Sequence, residues 1–362
     1  MISSFMDDKD MVKNRDLIEK GIVDLKNTID KTNLPSDLKE RLAQMIFQLE
    51  MVKSSENFLS DFQKTKDYID WTVSLPWDKS SKDNLDIEKA KNTLIESHYG
   101  LDEIKIRILE YLSVLILQNK RGSQDTIRAP ILCFVGLVGT GKTTIAKSIA
   151  KALGREFIRI PFGGLGDPFY LRGRSRFYPY AEPGQLIKGL RQVQTNNPVI
   201  LLDEIDRVAD DALNTIMGVL VELLDPEQNW AYTDHYLDFP FDLSKALFVA
   251  TANNTNRIAT AVLDRIEPIS MPSYSDKEKI VIGKDYIFPE AISRAGLDPS
   301  EVSISDDVWG QIVRPLGFDA GVRTLQRNIE GICRKAAYEI VQGQKEKIFI
   351  NKENVKEYVP AW

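Results

Sequence analysis

Residues 131–144 read Ile131-Leu132-Cys133-Phe134-Val135-Gly136-Leu137-Val138-Gly139-Thr140-Gly141-Lys142-Thr143-Thr144, and this stretch decides the fold. The apolar opening, Ile131 to Val135, has the length and β-branched content of a buried strand. Gly136 to Thr143 then fits G-x-x-x-x-G-K-[ST] in full. An amphipathic pattern from Ile145 to Leu153 predicts a helix, stopped by Gly154. The order has a chemical reason. Glycines let backbone N–H groups close around polyphosphate, and the following helix aims its positive dipole end at it. Lys142 is placed to neutralise the β/γ-phosphates, and the Thr143 hydroxyl to ligate Mg²⁺. A Gly-rich turn that binds nothing is the plainer explanation, and the strand before and helix after weigh against it.

The rest of the chain limits the classes open to it. Its 362 residues allow two or three domains and a sizeable core, and 43% hydrophobic with 28% charged residues describes a soluble globular protein. A net charge of −6 gives no global basic field for nucleic acid or an anionic membrane. Cys133 and Cys333 are the two cysteines, both at apolar positions, which predicts reduced core thiols. No apolar run approaches roughly 18 residues, and the start MISSFMDDKD has no secretory signature. Two histidines, His98 and His235, argue against a histidine-rich metal site.

Outward from the central stretch, residues 8 to 66 carry dense charge with apolar residues at helical spacing. Leu17, Ile18, Ile22, Leu25 and Ile29 form one stripe. After the break Thr32-Asn33-Leu34-Pro35-Ser36, a second stripe holds Leu38, Leu42, Ile46, Leu49 and Val52. The pattern fits a helical hairpin or coiled-coil arm, and equally an ordinary bundle pair. A third helix ends near Tyr68 to Trp77, where two tryptophans around Pro76 read as a packed corner. Two more helices, Asp86 to Ser97 and Leu101 to Asn119, meet at His98-Tyr99-Gly100, and the polar run Arg121 to Asp125 marks a boundary.

Beyond the central helix, Phe157 to Pro161 predicts a short strand, followed by an irregular Gly-, Arg- and Tyr-rich segment from Gly163 to Gly184. There Arg172, Arg174 and Arg176 interleave with Phe177, Tyr178 and Tyr180, a mix that taken alone invites a nucleic-acid reading. A helix is expected from Gln185 to Thr195. Pro198 to Glu204 is then an apolar run ending in two carboxylates, about 60 residues after the glycine loop. At a strand end beside such a loop, Asp203 is suited to organise Mg²⁺ and Glu204 to orient and deprotonate an attacking water. Leu247 to Ala252 is another buried strand, and Asn253 after it is placed to hold that water or touch the γ-phosphate. From Ser273 on the pattern is helical, with one strong helix from Gly321 to Val341, a short strand at Lys347 to Ile350 and a last helix at Lys352 to Tyr358. Alternating strands and helices imply an α/β fold with a mainly parallel sheet covered on both faces. Three parts are expected: a helical region over 1–122, a large nucleotide-binding domain over 123–272, and a small mainly helical domain over 273–362.

A glycine loop, an Asp-Glu strand end, a polar strand end and a helical small domain together resemble an AAA+ ATPase. Several stretches narrow the likeness: DYIDWTVSLPW at 67–77, HYGLDEIKIRILEYLSV at 98–114, KSIAKALGR at 147–155 and NPVILLDEID at 197–206. ELLDPEQN at 222–229, TDHYLDFPFDLSKALFVATAN at 233–253, VLDRIE at 262–267 and AGVRTLQRNIEGICRKA at 320–336 extend it. This ordered set, from about residue 20 to the end, resembles the ATP-dependent Lon protease family. The resemblance implies that Gly136, Leu137, Val138, Gly139, Thr140, Gly141, Lys142, Thr143 and Thr144 hold ATP. It makes Thr143 and Asp203 the Mg²⁺ residues, Glu204 the general base, Asn253 sensor 1 and Arg323 sensor 2. Arg265 would be an arginine finger reaching a neighbouring subunit's nucleotide, and His98, Tyr99 and Gly100 would line the adenine pocket. A finger acting in trans implies a ring, normally a homo-hexamer, that pulls unfolded polypeptide through pore loops in protein quality control. Tyr178 takes the place of the pore-loop aromatic, which displaces the nucleic-acid reading. The compartment implied is the cytoplasm, or the mitochondrial matrix.

The chain departs from the family pattern in places. Pro179-Tyr180 follows Tyr178 where the family has small residues; proline stiffens the loop, and a second aromatic either shares the grip or blocks it. Leu137-Val138 replaces a common pair of prolines, and Ala209 to Gly218 replaces a Gly- and Asp-rich second pore loop, leaving Trp230 and Tyr232 as weak substitutes. The family's Ser-Lys peptidase dyad belongs to a domain that would follow Trp362, and its globular N-terminal domain is also missing, so peptidase chemistry is not expected of this chain. An alternative class is a non-motor ATP-binding regulator or scaffold working with a separate partner.

Overall fold

A computed structural model describes residues 8–53, 55, 57–120, 130–314 and 320–359, with the side chains of 8–18 and 119 outside that description. The side chains of Leu17 and Ile18 and the boundary run Arg121 to Asp125 therefore lie outside that description. Five helices come first: α1 (Asp8–Lys31), α2 (Ser36–Met51), α3 (Phe58–Val73), α4 (Ile87–Ser97) and α5 (Asp102–Lys120). Strand β1 (Ile131–Val135) and helix α6 (Lys142–Leu153) flank the glycine loop. There follow β2 (Phe157–Pro161), α7 (Phe169–Arg172), α8 (Gln185–Val193), β3 (Val199–Asp203) and α9 (Leu213–Leu223). A two-strand ribbon, β4 (Tyr232–Thr233) and β5 (Pro240–Phe241), precedes β6 (Leu247–Ala252), α10 (Thr260–Leu263) and β7 (Ile266–Ser270). The last part holds α11 (Asp276–Ile282), α12 (Phe288–Arg294), β8 (Val302–Ile304), α13 (Trp309–Val313), α14 (Arg323–Val341), β9 (Ile348–Ile350) and α15 (Val355–Tyr358).

The main sheet is parallel throughout, in the order β2-β3-β6-β1-β7. Its side chains alternate between two cores, as the period of a strand requires. Ile200, Leu202, Phe248 and Ala250 face one core, Val199, Leu201, Leu247 and Val249 the other. The second core is closed by α4, α5 and α6 through Leu94, Ile108, Leu112, Ile145 and Ile149. The first is closed by α8 and α9, and it continues without a break into α1–α3 through Ile22, Leu38, Leu42, Ile46 and Ile69. Tyr68 ties that bundle to the ribbon by donating its hydroxyl to Leu237 O at 2.7 Å. The N-terminal helices are thus packed onto the sheet domain as a bundle, not held out as a free arm. The second predicted stripe is buried through Leu49, while Val52, just past the end of α2, is exposed.

Four strands escape the periodicity: the two-residue β4 and β5 of the ribbon, and β7 and β8. β7 contains Pro268, which removes a backbone donor, and the sheet tolerates it because β7 is an edge strand. β8 is a three-residue strand whose parallel partner β9 lies more than forty residues on, so no local pattern marks it. The residues from α12 onward enclose a third core of their own, around Trp309, Ile329, Ile332 and Tyr358. Both cysteines are buried, and burial pushes the Cys133 thiol up to about 12 and Cys333 to about 11.

Candidate nucleotide site

Because β3, β6 and β1 are neighbours in the sheet, their carboxyl ends meet in one place, the usual ligand crevice of a parallel α/β sheet. Three predicted elements converge there: the loop after β1, the acids ending β3 and the asparagine following β6. The loop turns through Gly139 at φ +84° and Gly141 at φ +94°, backbone that L side chains rarely adopt. Lys142 is buried, and its Nζ donates to Gly136 O at 2.6 Å, Leu137 O at 3.0 Å and Asn253 Oδ1 at 3.2 Å. Burial lowers its pKa, opposed by the nearby charges of Glu204, Asp206 and Asp203. Thr143 Oγ1 donates to Asp203 Oδ1 at 3.3 Å. Val138, Gly139, Gly141, Lys142, Thr143, Thr144, Asp203, Glu204 and Arg323 line one shared cavity of about 190 Å³. Leu137 is exposed, and Thr140 is buried with its carbonyl accepting from the Tyr274 hydroxyl at 3.2 Å.

Several residues that no sequence pattern marks hold this arrangement. Thr251 Oγ1 donates to Asp203 Oδ1 at 2.5 Å and accepts from Glu204 N at 2.8 Å, so one hydroxyl orients both acids. Glu204 sits at φ +60°, a strained conformation for a non-glycine residue that turns it out of the strand direction. A Cβ on Gly163 would lie 2.9 Å from Glu204 Oε2, so glycine there leaves room for the carboxylate. Buried Asp206 accepts from Asn253 N at 3.0 Å, fixing the loop that carries the asparagine. Arg159 on β2 donates to Asp203 Oδ2 from Nε at 2.7 Å and closes an ion pair from Nη2 at 2.6 Å.

The C-terminal part touches the loop directly, backbone on backbone. Val322 N donates to Gly139 O at 3.0 Å, and a Cβ on Gly321 would fall 2.5 Å from Gly139 C. Arg323, the first residue of α14, stands beside Gly139 on the wall of the cavity. On the other side His98 is buried, with Nε2 2.9 Å from Thr144 Oγ1 and its carbonyl accepting from Lys105 Nζ at 2.7 Å. Burial, helped by the Lys105 charge, lowers the His98 pKa to about 4. Tyr99 is exposed, and Gly100 takes φ +62° next to Glu278.

Arg265 is not brought to this cavity. Its carbonyl accepts from Ile131 N, at the start of β1, whereas the glycine loop lies at the other end, about 16 Å away by strand rise. Its Nη2 pairs with Asp225 Oδ2 at 2.9 Å and holds that carboxyl below the usual range. Tyr178 and Tyr180 also stand apart, on the segment between α7 and α8. The two ends of that segment are pinched: Gly184 N donates to Asp234 Oδ2 at 2.7 Å, and a Cβ on Gly184 would lie 1.9 Å from Leu171 O. At the tip Phe177, Tyr178 and Tyr180 are exposed, Tyr180 at 99%, so Pro179 does not fold the second aromatic away. The arginines are engaged within the chain: half-buried Arg172 pairs with Glu222, exposed Arg174 pairs with exposed Asp167, and Arg176 lies 4.4 Å over the Tyr68 ring. Of the substitutes for a second pore loop, Tyr232 is fully buried with its hydroxyl on Leu171 O, which removes it, and Trp230 is exposed.

The cavity fits a nucleoside triphosphate with a divalent ion. It offers glycine backbone, a lysine and a hydroxyl beside a carboxylate, and next to that lysine is a buried Asn253 Nδ2 with no hydrogen-bond partner among the described residues. With the parallel sheet behind it, it defines an AAA+ P-loop ATPase. Comparison with known proteins agrees. The family "ATPase family associated with various cellular activities (AAA)" matches residues 132–273, and the "Lon protease AAA+ ATPase lid domain" matches residues 293–349. The chain is 41% identical to a Lon protease of Heliobacterium modesticaldum over 336 residues, 93% of this chain and 40% of that protein. It is 42% identical to that of Lawsonia intracellularis over 341 residues, and 42% identical to that of Clostridioides difficile over 332 residues. These cover 94% and 91% of this chain, and 40% and 41% of those proteins. The chain carries the AAA+ ATPase module of the Lon family, and it spans about two fifths of the length of the curated relatives it matches.

Proposed function

We propose that the chain is an ATP-driven motor that unfolds and translocates polypeptides, the ATPase part of a Lon-type protease working in cytoplasmic protein quality control. The observation that carries this is the meeting of the glycine loop, Asp203, Glu204 and Arg323 around one cavity walled on one side by the C-terminal part, with Asn253 hydrogen-bonded to Lys142. Glycine-loop N–H groups and Lys142 would hold the phosphates, with His98, Tyr99 and Gly100 beside the base. Thr143 and Asp203 would hold Mg²⁺, which when bound offsets charge on the phosphate oxygens. Glu204 takes the proton of the attacking water, and Asn253 orients that water. Arg323 answers to the phosphates from the small domain. Arg265, remote from its own cavity, serves the site of a neighbour in a homo-hexameric ring. The exposed Tyr178 and Tyr180 grip substrate chain by apolar contact. On this reading the parts are 1–122, 123–272 and 273–362, the last moving against the second as nucleotide turns over.

The test is ATP hydrolysis against protein concentration, with and without unfolded casein, beside Glu204→Gln. Turnover that rises with concentration and with casein is expected, and Glu204→Gln should keep ATP binding while losing turnover by at least about a hundredfold. Undiminished turnover in the variant removes Glu204 as the base. Tight binding with no turnover at any concentration turns the reading to a nucleotide-gated binding protein.

A further inference from the structure

We propose that Arg159 is a positioning residue for the metal-bearing carboxylate: it clamps one oxygen of Asp203 so that the other is presented to Thr143 and the ion. The proposal rests on the ATPase reading of the same cavity. Arg159 lies on β2, whose register pairs Pro161 with Asp203 and Arg159 with Leu201. Ile158 and Ile160 point into the first core, so Arg159 shares the opposite face, the one on which Leu201 and the start of α6 lie. Its guanidinium reaches Oδ2 of Asp203 from two nitrogens, at 2.7 and 2.6 Å. Oδ1 takes Thr251 at 2.5 Å and Thr143 at 3.3 Å. The two oxygens are thereby made unequal, and the carboxylate cannot turn about its Cβ–Cγ bond without giving up both threonines and the guanidinium.

The setting separates this from a surface ion pair. The Asp203 side chain is 4% exposed and the Arg159 side chain 53% exposed, so the carboxylate is fixed in the interior while the clamp reaches it from the solvent side of an edge strand. Asp203 also shares a short run with Glu204 and Asp206, and Arg159 is its ion-pair partner among the described residues. Two nitrogens of one planar guanidinium converging on Oδ2 hold that oxygen from a fixed direction, which a single freely rotating ammonium does not, while the threonines hold Oδ1.

The experiment measures binding of a fluorescent ATP analogue, first in EDTA and then during Mg²⁺ titration, together with kcat and KM. The proteins are the wild-type chain, Arg159→Met and Arg159→Lys. In EDTA all three are expected to bind within about twofold, because the glycine loop and Lys142 are untouched. Arg159→Met should need about tenfold more Mg²⁺ for half its effect on binding and lose about tenfold in kcat with KM for ATP little changed. Arg159→Lys, which keeps charge and fold, should recover the Mg²⁺ midpoint only in part. Wild-type Mg²⁺ midpoint and kcat in either variant overturn the clamp. Wild-type protein whose nucleotide binding ignores Mg²⁺ overturns the ATPase reading itself, and the clamp with it.

Discussion

His98 is a base kept neutral by its surroundings. Its imidazole bonds Thr144 while the buried Lys105 ammonium lies on its carbonyl, and its pKa falls to about 4 from an ordinary 6.5. The unfolded chain takes up this proton below pH 6.5 and the folded chain only near pH 4. The contribution is therefore complete above the upper value and lost as pH falls through the window. Between pH 7 and pH 5 this amounts to about 2 kcal/mol. Denaturant unfolding of wild type and His98→Asn at both pH values should show the wild type losing about that much more on acidification; equal losses would mean His98 is protonated in the folded state. The residues around the cavity differ in how far a sequence reveals them. The glycine loop and the strand-end acids are legible because each is a contiguous pattern whose chemistry is local. Thr251, Gly163, Asp206 and Arg159 are not, because their partners lie some 40 residues or more away in most cases and only the sheet order brings them together.

Helix α14 meets the glycine loop through two glycines. Gly321 has no room for a Cβ, since the atoms it would strike are backbone atoms of Gly139 that no rotamer change can move. Gly321→Ala should cost about 1–3 kcal/mol in stability and weaken ATP binding several-fold, because one methyl pushes the start of α14 off the loop. Gly310→Ala, in α13 with nothing within 4 Å of the added atom, is the control and should be neutral or slightly stabilising. Melting temperature with and without nucleotide reads both. Equal behaviour of the two variants would show that the loop adapts. Element for element, the long amphipathic helices were readable from their stripes. β7 was hidden by Pro268 and β8 by its brevity, both being edge or satellite strands that periodicity does not mark.

In the molecule as a whole, the position of Arg265 is what the proposed ring must explain. The sheet separates it from the nucleotide cavity of the same chain, and Asp225 pairs with it. Arg265→Ala should leave ATP affinity within about twofold and reduce hydrolysis by at least about a hundredfold, as loss of an arginine finger does. Rings mixed from wild type and variant should lose activity faster than in proportion to variant content. Strict proportionality would show that the arginine serves its own subunit. No contiguous motif marks Arg265, and only the resemblance to a family proposes this role for it.

The aromatic segment between α7 and α8 adds a mechanical point. Its ends are pinched at Leu171, Gly184 and the fully buried Asp234, and Leu171, Leu186, Ile187 and Tyr232 at its base belong to the same core as the sheet. If the chain works as the proposed motor, a loop fixed this way would move as a paddle rather than as a rope. Whatever displaces its root would then displace the tyrosines by a like distance, and the length of a stroke would be set by the rigid body behind the loop and not by slack within it.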